Sequence, residues 1–427
     1  MLNLKKSNEY LKRATGLIPA LSQTFSKAPY SYVKGIYPVY LKSGKGSHVF
    51  DVDNNEFIDY ILALGPVTLG YAYQAVDNAI SQQLKKGISF SMPHHLEVEL
   101  SEEIHHLIPG ADMVRFSKTG SDAVTAAVRA ARAITKKDNI LYCGSGGVWH
   151  DWFTVITSRS EGIPYIMKSM IRKFNYNDLE SLKISFEESN DNVAAVCMEP
   201  LMLENPRDDF LQKVKKITHD NNAVLIFDEV VTGFRYAKGG AQEYLGVEGD
   251  IVAFGKGIAN GMPLGAITGK EEYMKKFDEV FYSTSYGGET LSLAASLAVI
   301  NEIKNKPVIE HCWNIGRALI EGFNKIASEL SLDIEISGFP IRGSIVCRDE
   351  NGNPSNLLKS ILLQELVERG IMFGPGAVFV SYSHTKDDIE NTLKSCREAM
   401  LTLKKGIENG NVSSLLKGEE MKKVMTF

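Results

Sequence analysis

Through the middle of the chain, short apolar runs alternate with longer amphipathic stretches. The runs Met113–Phe116, Asn139–Cys143, Val193–Met198, Ala223–Phe227, Ile251–Phe254 and Ala266–Gly269 read as strands. Stretches between them, such as Asp122–Thr135 and Phe210–Asn221, carry helical periodicity. That alternation predicts an α/β architecture with a mainly parallel sheet covered on both faces. Near the N-terminus the pattern changes. Val39–Leu41, His48–Asp51 and Phe57–Ile61 are short and alternating, and the turn Asp51-Val-Asp-Asn-Asn55 joins two of them, so they predict an antiparallel meander. A long helix is expected over Val308–Leu330, followed by mixed strands and helices. The division this implies is 1–75 for the N-terminal segment, 76–306 for a large domain, 307–404 for a smaller one and 405–427 for a polar, loosely held tail.

Composition narrows the class. With 427 residues, 44% hydrophobic and 23% charged, the chain has the makings of an ordinary globular protein with one large and one smaller lobe. A net charge of −5 gives no nucleic-acid footprint. No segment reads as a membrane span, and the first residues lack the apolar core of a signal peptide. Five scattered cysteines, two of them in expected buried strands, fit reduced thiols and a cytoplasmic setting. No metal site is expected. The histidine pairs His94-His95 and His105-His106 are adjacent, and adjacent residues do not share a helix face.

The chemistry begins at two strand ends. Lys256 follows the apolar run Ile251–Phe254 between Gly255 and Gly257, and Asp228 follows Ala223–Phe227. Taken alone, Lys256 reads equally as a strand-end lysine snorkelling to water, and Asp228 as a turn cap. Together they imply an aldehyde cofactor of the pyridoxal phosphate type. The lysine forms an imine with it, and the carboxylate keeps a ring nitrogen protonated so that the ring can accept electrons. Val230, two residues on, shares a side with Asp228 and is placed to pack on a ring face, while Glu229 points the other way. Ser117-Lys-Thr-Gly-Ser-Asp-Ala123 opens a helix directly after a strand. The amides of Gly120 and Ser121 would favour a phosphate there, although a simple serine N-cap gives the same pattern. Glu199, in Glu199-Pro200, adds an acid at the same carboxyl edge of the sheet, where ligands of open α/β sheets sit. No strand is followed by Gly-x-Gly-x-x-Gly with an acid about 20 residues on, which argues against an NAD-linked dehydrogenase.

These segments resemble the class III (fold-type I) aminotransferases, and among them the glutamate-1-semialdehyde 2,1-aminomutases. The likeness covers about residues 10 to 400. It rests on Gly46–Tyr60, Met113–Ala123, Met198-Glu-Pro200, Leu225–Arg235, Gly255-Lys-Gly257 and Ser383-His-Thr385. The resemblance implies a seven-stranded, mainly parallel sheet between helices, and a small α+β domain built from both chain ends. It implies that Lys256 carries the cofactor, Asp228 pairs its ring nitrogen, and Gly120 and Ser121 hold its phosphate. It further implies a homodimer in which Ser285, within Ser283–Gly288, lies near the other subunit's phosphate. The family's Tyr-His-Gly loop falls where this chain has Gly144-Ser-Gly-Gly-Val-Trp149-His150. Either Ser145-Gly146-Gly147 replaces it and nothing aromatic stacks there, or Trp149 stacks in a shifted register; Trp149 as a core residue is equally open. The segment before Ser383-His-Thr385 lacks the mutase's glutamate, and Lys27 stands near the mutase's substrate-carboxylate arginine, where it lacks that bidentate grip. The expected activity is therefore amino transfer between an amino donor and a carbonyl acceptor. The alternatives are intramolecular transfer on glutamate 1-semialdehyde and a non-catalytic binding protein that keeps the fold.

Overall fold

The computed structural model describes residues 2–144 and 146–423. The chain divides into two compact units, one spanning Gln74–Ile309 and the other built from residues up to Tyr73 together with those from Glu310 onward.

The continuous unit holds seven strands: β1 (Met113–Ser117), β2 (Asn139–Cys143), β3 (Ile171–Lys173), β4 (Val193–Met198), β5 (Val224–Glu229), β6 (Ile251–Phe254) and β7 (Gly265–Gly269). Their order is β1-β7-β6-β5-β4-β2-β3. Every residue of β4, β5 and β6 is buried, as a sheet covered on both faces requires. One face packs on the helix Gly120–Thr135. Its alanines and valines let that helix lie close over Ala195, Cys197, Ile226 and Ala253. All pairings among β2 to β6 are parallel, and β7 runs antiparallel to both of its neighbours. The sheet is mainly parallel, so the expected α/β class holds. The reversal of β7 has a consequence for the site. It turns β1 back into the direction of β6, with Ser117 opposite Gly265 and Phe254 opposite Ala266. The carboxyl ends of β1, β6, β5, β4 and β2 therefore share one edge.

The other unit carries a four-stranded sheet of Leu41–Lys45, His48–Asp51, Glu56–Asp59 and Ile371–Met372, in that order. The first three form the antiparallel meander, whose tight turn is held by the Asp51 carboxylate accepting from the amides of Asp53 and Asn55. A three-stranded antiparallel sheet, Ile334–Phe339, Arg342–Cys347 and Ala377–Phe379, completes it. The polar stretch expected to hang loosely from residue 405 is held instead. A helix runs over Lys386–Glu408, and the Gln364 amide accepts from the Lys417 amide at 2.8 Å while donating to the Leu415 carbonyl at 2.8 Å. Met421 is buried beyond it. Among the described residues no helix is long and apolar enough to cross a membrane.

Candidate active site

The loop after β1 enters its helix through a reciprocal cap. The Thr119 hydroxyl accepts from the Asp122 amide at 3.1 Å, and the Asp122 carboxylate accepts from the Thr119 amide at 2.9 Å. This leaves Gly120 and Ser121 as the first helical residues, with their amides at the positive end of a 16-residue helix. His150 Nε2 lies 3.2 Å from Asp122 Oδ1, and that bond is the main cause holding the Asp122 carboxyl below its usual range. Val230 and Gly255 pack against the helix start. A Cβ on Gly120 would lie 2.5 Å from Val230 Cγ1, and one on Gly255 would lie 3.2 Å from Gly120 Cα, so backbone and valine meet with no room for side chains.

Asp228 and Glu199 stand at the ends of β5 and β4, 5% and 1% exposed. One oxygen of Asp228 accepts from the Val230 amide at 3.1 Å, which turns the chain out of the strand and sets Val230 beside it. Glu229 faces the opposite side, as alternation demands. Its carboxylate accepts from Thr232 Oγ1 and from the amides of Ala241 and Gln242, while burial pushes its carboxyl up to about 7. Lys256 is half-buried and opens the short 3-10 turn Lys256–Ala259 with a φ of +41°. A lysine in this left-handed region is locally strained, and such strain concentrates at functional positions.

A cleft of about 230 Å³ brings Gly120, Ser121, Glu199, Asp228, Val230 and Lys256 together. Three residues singled out from the sequence lie apart from its lining. Trp149 is 67% exposed and rests on His150, with ring centroids 4.2 Å apart. Its own amide donates to Ser121 Oγ at 3.4 Å, while Gly146, Gly147 and Val148 take the cleft wall, so the indole is turned outward. Neither reading of Trp149 holds, as stacking residue or as core residue. The core tryptophan here is Trp152, 5% exposed, whose Nε1 donates to Thr125 Oγ1 at 2.9 Å. Ser145 lies outside the described residues. Ser285 is exposed in a turn. Lys27 is exposed and borders a separate cavity of about 320 Å³ within the other unit, beside Tyr32, Asp59 and Tyr71.

The sequence reading passed over Tyr142. It lies on β2, 1% exposed, and burial together with the charges of Asp228 and Glu199 pushes its phenol well above the usual range. The available signal was a tyrosine near the end of a buried strand with a glycine two residues on, Tyr142-Cys-Gly144.

Known proteins resemble the chain over most of its length. Residues 31–400 match the family described as aminotransferase class-III. The chain is 32% identical over 413 residues to a 3-aminobutyryl-CoA aminotransferase of Cloacimonas acidaminovorans, covering 95% of this chain and 99% of that protein. It is 34% identical over 426 residues to a glutamate-1-semialdehyde 2,1-aminomutase of Alkaliphilus oremlandii, covering 94% and 100%. Among solved structures, the pyridoxal phosphate (PLP) internal aldimine form of the FumI protein of Sphingopyxis sp. MTA144 superposes with a TM-score of 0.90. It shares 25% identity, with 98% of this chain and 99% of that one covered. A transaminase with PLP bound gives a TM-score of 0.87 at 26% identity, with 97% and 99% covered. The reading as a non-catalytic binding protein is set aside by these matches. The chain belongs to the class III aminotransferases, enzymes of the fold-type I class that work with pyridoxal phosphate.

Proposed function

We propose that this enzyme moves an amino group between an amino donor and a carbonyl acceptor, with Lys256 as its reacting amine and Asp228 as the partner of the cofactor's ring nitrogen. One observation carries the reading: a single cleft lined by a buried carboxylate, a strained lysine and the first-turn residues of a helix. Those residues fit pyridoxal phosphate. Gly120 and Ser121 would hold its phosphate, Asp228 its ring nitrogen, Val230 one ring face and Lys256 its aldehyde carbon, with Glu199 lining the same cleft. Bound there, the cofactor supplies an aldehyde for the amino group and a ring that draws off the electrons left when a substrate loses its α-proton.

The rest falls to the chain. Lys256 Nζ, tethered within reach, would take the substrate's α-proton and deliver it to the carbon that bore the cofactor's aldehyde, on the far side of the transferred nitrogen. Asp228, as an anion, keeps a proton on the ring nitrogen. Ser285, exposed on its turn, is suited to a second copy's phosphate, and the enzyme would then be a homodimer with shared sites. Five buried cysteines, none of them in a disulfide, fit a cytoplasmic location.

Borohydride treatment of the PLP-loaded enzyme followed by peptide mass analysis tests the assignment. The expected result is one adduct, on Lys256; an adduct elsewhere overturns it. A second reading, intramolecular transfer on glutamate 1-semialdehyde, is favoured by the relatives that bear that name. That compound alone would yield 5-aminolevulinate if the reading holds. Dependence on an external amino donor decides for amino transfer between two molecules.

A further inference from the structure

Tyr142 on β2 stands opposite Cys197 on β4, which in turn stands opposite Ile226 on β5. Side chains two residues apart share a sheet face. Gly144, Glu199 and Asp228 therefore form the next row toward the cleft on the face that carries Tyr142. The Tyr142 ring is locked edge-on against Phe153, with centroids 4.8 Å apart at 77°, and its hydroxyl projects forward into that row. A Cβ on Gly144 would sit 2.7 Å from the Tyr142 hydroxyl oxygen and 3.2 Å from Glu199 Oε1. A Cβ on Gly146 would sit 3.4 Å from Asp228 Oδ2 and 3.5 Å from the same hydroxyl. The phenol thus occupies space that glycines leave open, at the edge of two buried carboxylates. Its bond to the Gly146 carbonyl, at 3.5 Å, is long.

We propose that Tyr142 is a positioning residue for the cofactor, its hydroxyl donating to the Glu199 carboxylate beside Asp228 so that both acids stay ionised and Asp228 keeps its aim on the ring nitrogen. This rests on the assignment of Lys256 and Asp228 given above. Two buried like charges at one edge raise each other's proton affinity, and a donor placed between them offsets that repulsion. A buried phenol beside two anions keeps its own proton, which is what a donor needs. Without it, a proton settles more readily on Asp228 than on the ring.

The experiment titrates apoprotein with pyridoxal 5′-phosphate and follows the bound cofactor's absorbance against pH, in the native enzyme, Tyr142→Phe, Gly144→Ala and the double variant. Tyr142→Phe keeps the ring and removes one hydrogen bond to a charged group, so PLP affinity should fall roughly five- to tenfold. The pH midpoint of the absorbance should shift with it, and thermal stability of the apoprotein should stay near that of the native chain. Gly144→Ala, which displaces the hydroxyl, should produce the same changes. In the Tyr142→Phe background it should add clearly less than in the native chain, because the 2.7 Å clash with the hydroxyl is gone and only the looser 3.2 Å approaches to Glu199 Oε1 and the ring carbon remain. Unchanged affinity and midpoint in Tyr142→Phe, or fully additive effects, would overturn the proposal. Should Tyr142→Phe fail to fold, Gly144→Ala alone decides. Borohydride reduction runs alongside: an adduct on Lys256 with unaltered Tyr142→Phe behaviour sinks only the role of Tyr142, whereas no adduct on Lys256 sinks both assignments.

Discussion

Val230 Cγ1 occupies the place where a side chain at position 120 would begin: a Cβ added to Gly120 would meet it at 2.5 Å. The valine and the helix start are thus built against one another, with Val230, two residues after Asp228, setting how close the helix amides come to the cleft. Gly120→Ala should move that start by overpacking, at a cost of about 1–3 kcal/mol. PLP affinity should fall by at least about tenfold in a titration of the apoprotein. Val230→Ala in the same protein should recover most of it. Failure to recover would mean that Gly120 is needed for a reason other than room.

Asp228→Asn preserves shape and removes charge. Turnover should drop by at least about a hundredfold, the scale of losing one preorganised electrostatic partner. The thermal midpoint should hold or rise, because a buried carboxylate is costly to keep ionised. Stopped-flow measurement of proton removal from a deuterated donor should place the loss in that step.

No aromatic side chain lines the cleft among the described residues, and a Cβ on Gly147 meets nothing within 4 Å. Gly147→Tyr should therefore be accommodated and give the ring a stacking partner, tightening PLP binding by about two- to tenfold. Weaker binding in the same titration would show that the Gly146–Val148 segment already fills that side.

Stability should depend on acid through His384. It is fully buried, and burial pushes its imidazole down to about 4, against the pull of Asp388 and with a further push from His48 and His311. Its Nδ1 accepts from the Ser381 amide at 3.0 Å, and its Nε2 has no partner among the described residues. The folded state holds His384 neutral, so its contribution is whole above about pH 6.5 and is lost as pH falls toward 4, by about 3 kcal/mol at most. His48 works the other way. The Asp388 hydrogen bond raises its affinity for protons, so its contribution is present below its unfolded pKa and lost as pH rises through the folded one. Asp388, held well below the usual carboxylate range, adds stability lost only in stronger acid. Urea midpoints measured from pH 7 to 4 should decline, and His384→Gln should flatten that decline.

The parts of this fold legible in the sequence are those where burial is unbroken. Val193–Met198 is a continuous apolar run, so strand and depth could be read at once. Ile171–Lys173 is a three-residue edge strand, too short to carry a pattern. The direction of β7 depends on its pairings with β1 and β6, which local periodicity does not encode. At the site, residues at strand ends and at the helix start were readable because backbone geometry places them. Trp149 was not, because which residue reaches a cleft wall is decided by the path of Gly146–Val148. Tyr142 acts through the reach of a ring across a row of strands, a distance no sequence spacing expresses. The polar C-terminal stretch looked free because its anchor, Gln364, is far away in sequence.

The backbone of Lys256, at a φ of +41°, takes a shape in which glycine would sit at ease and a side chain does not. By the fold's own preference, then, this position belongs to glycine, and Lys256→Gly should outlast Lys256→Ala on heating, by about 1 kcal/mol. The amine is held there against that preference. Engineering this enzyme for heat tolerance meets a floor at residue 256, where ruggedness and reactivity compete for a single place in the chain.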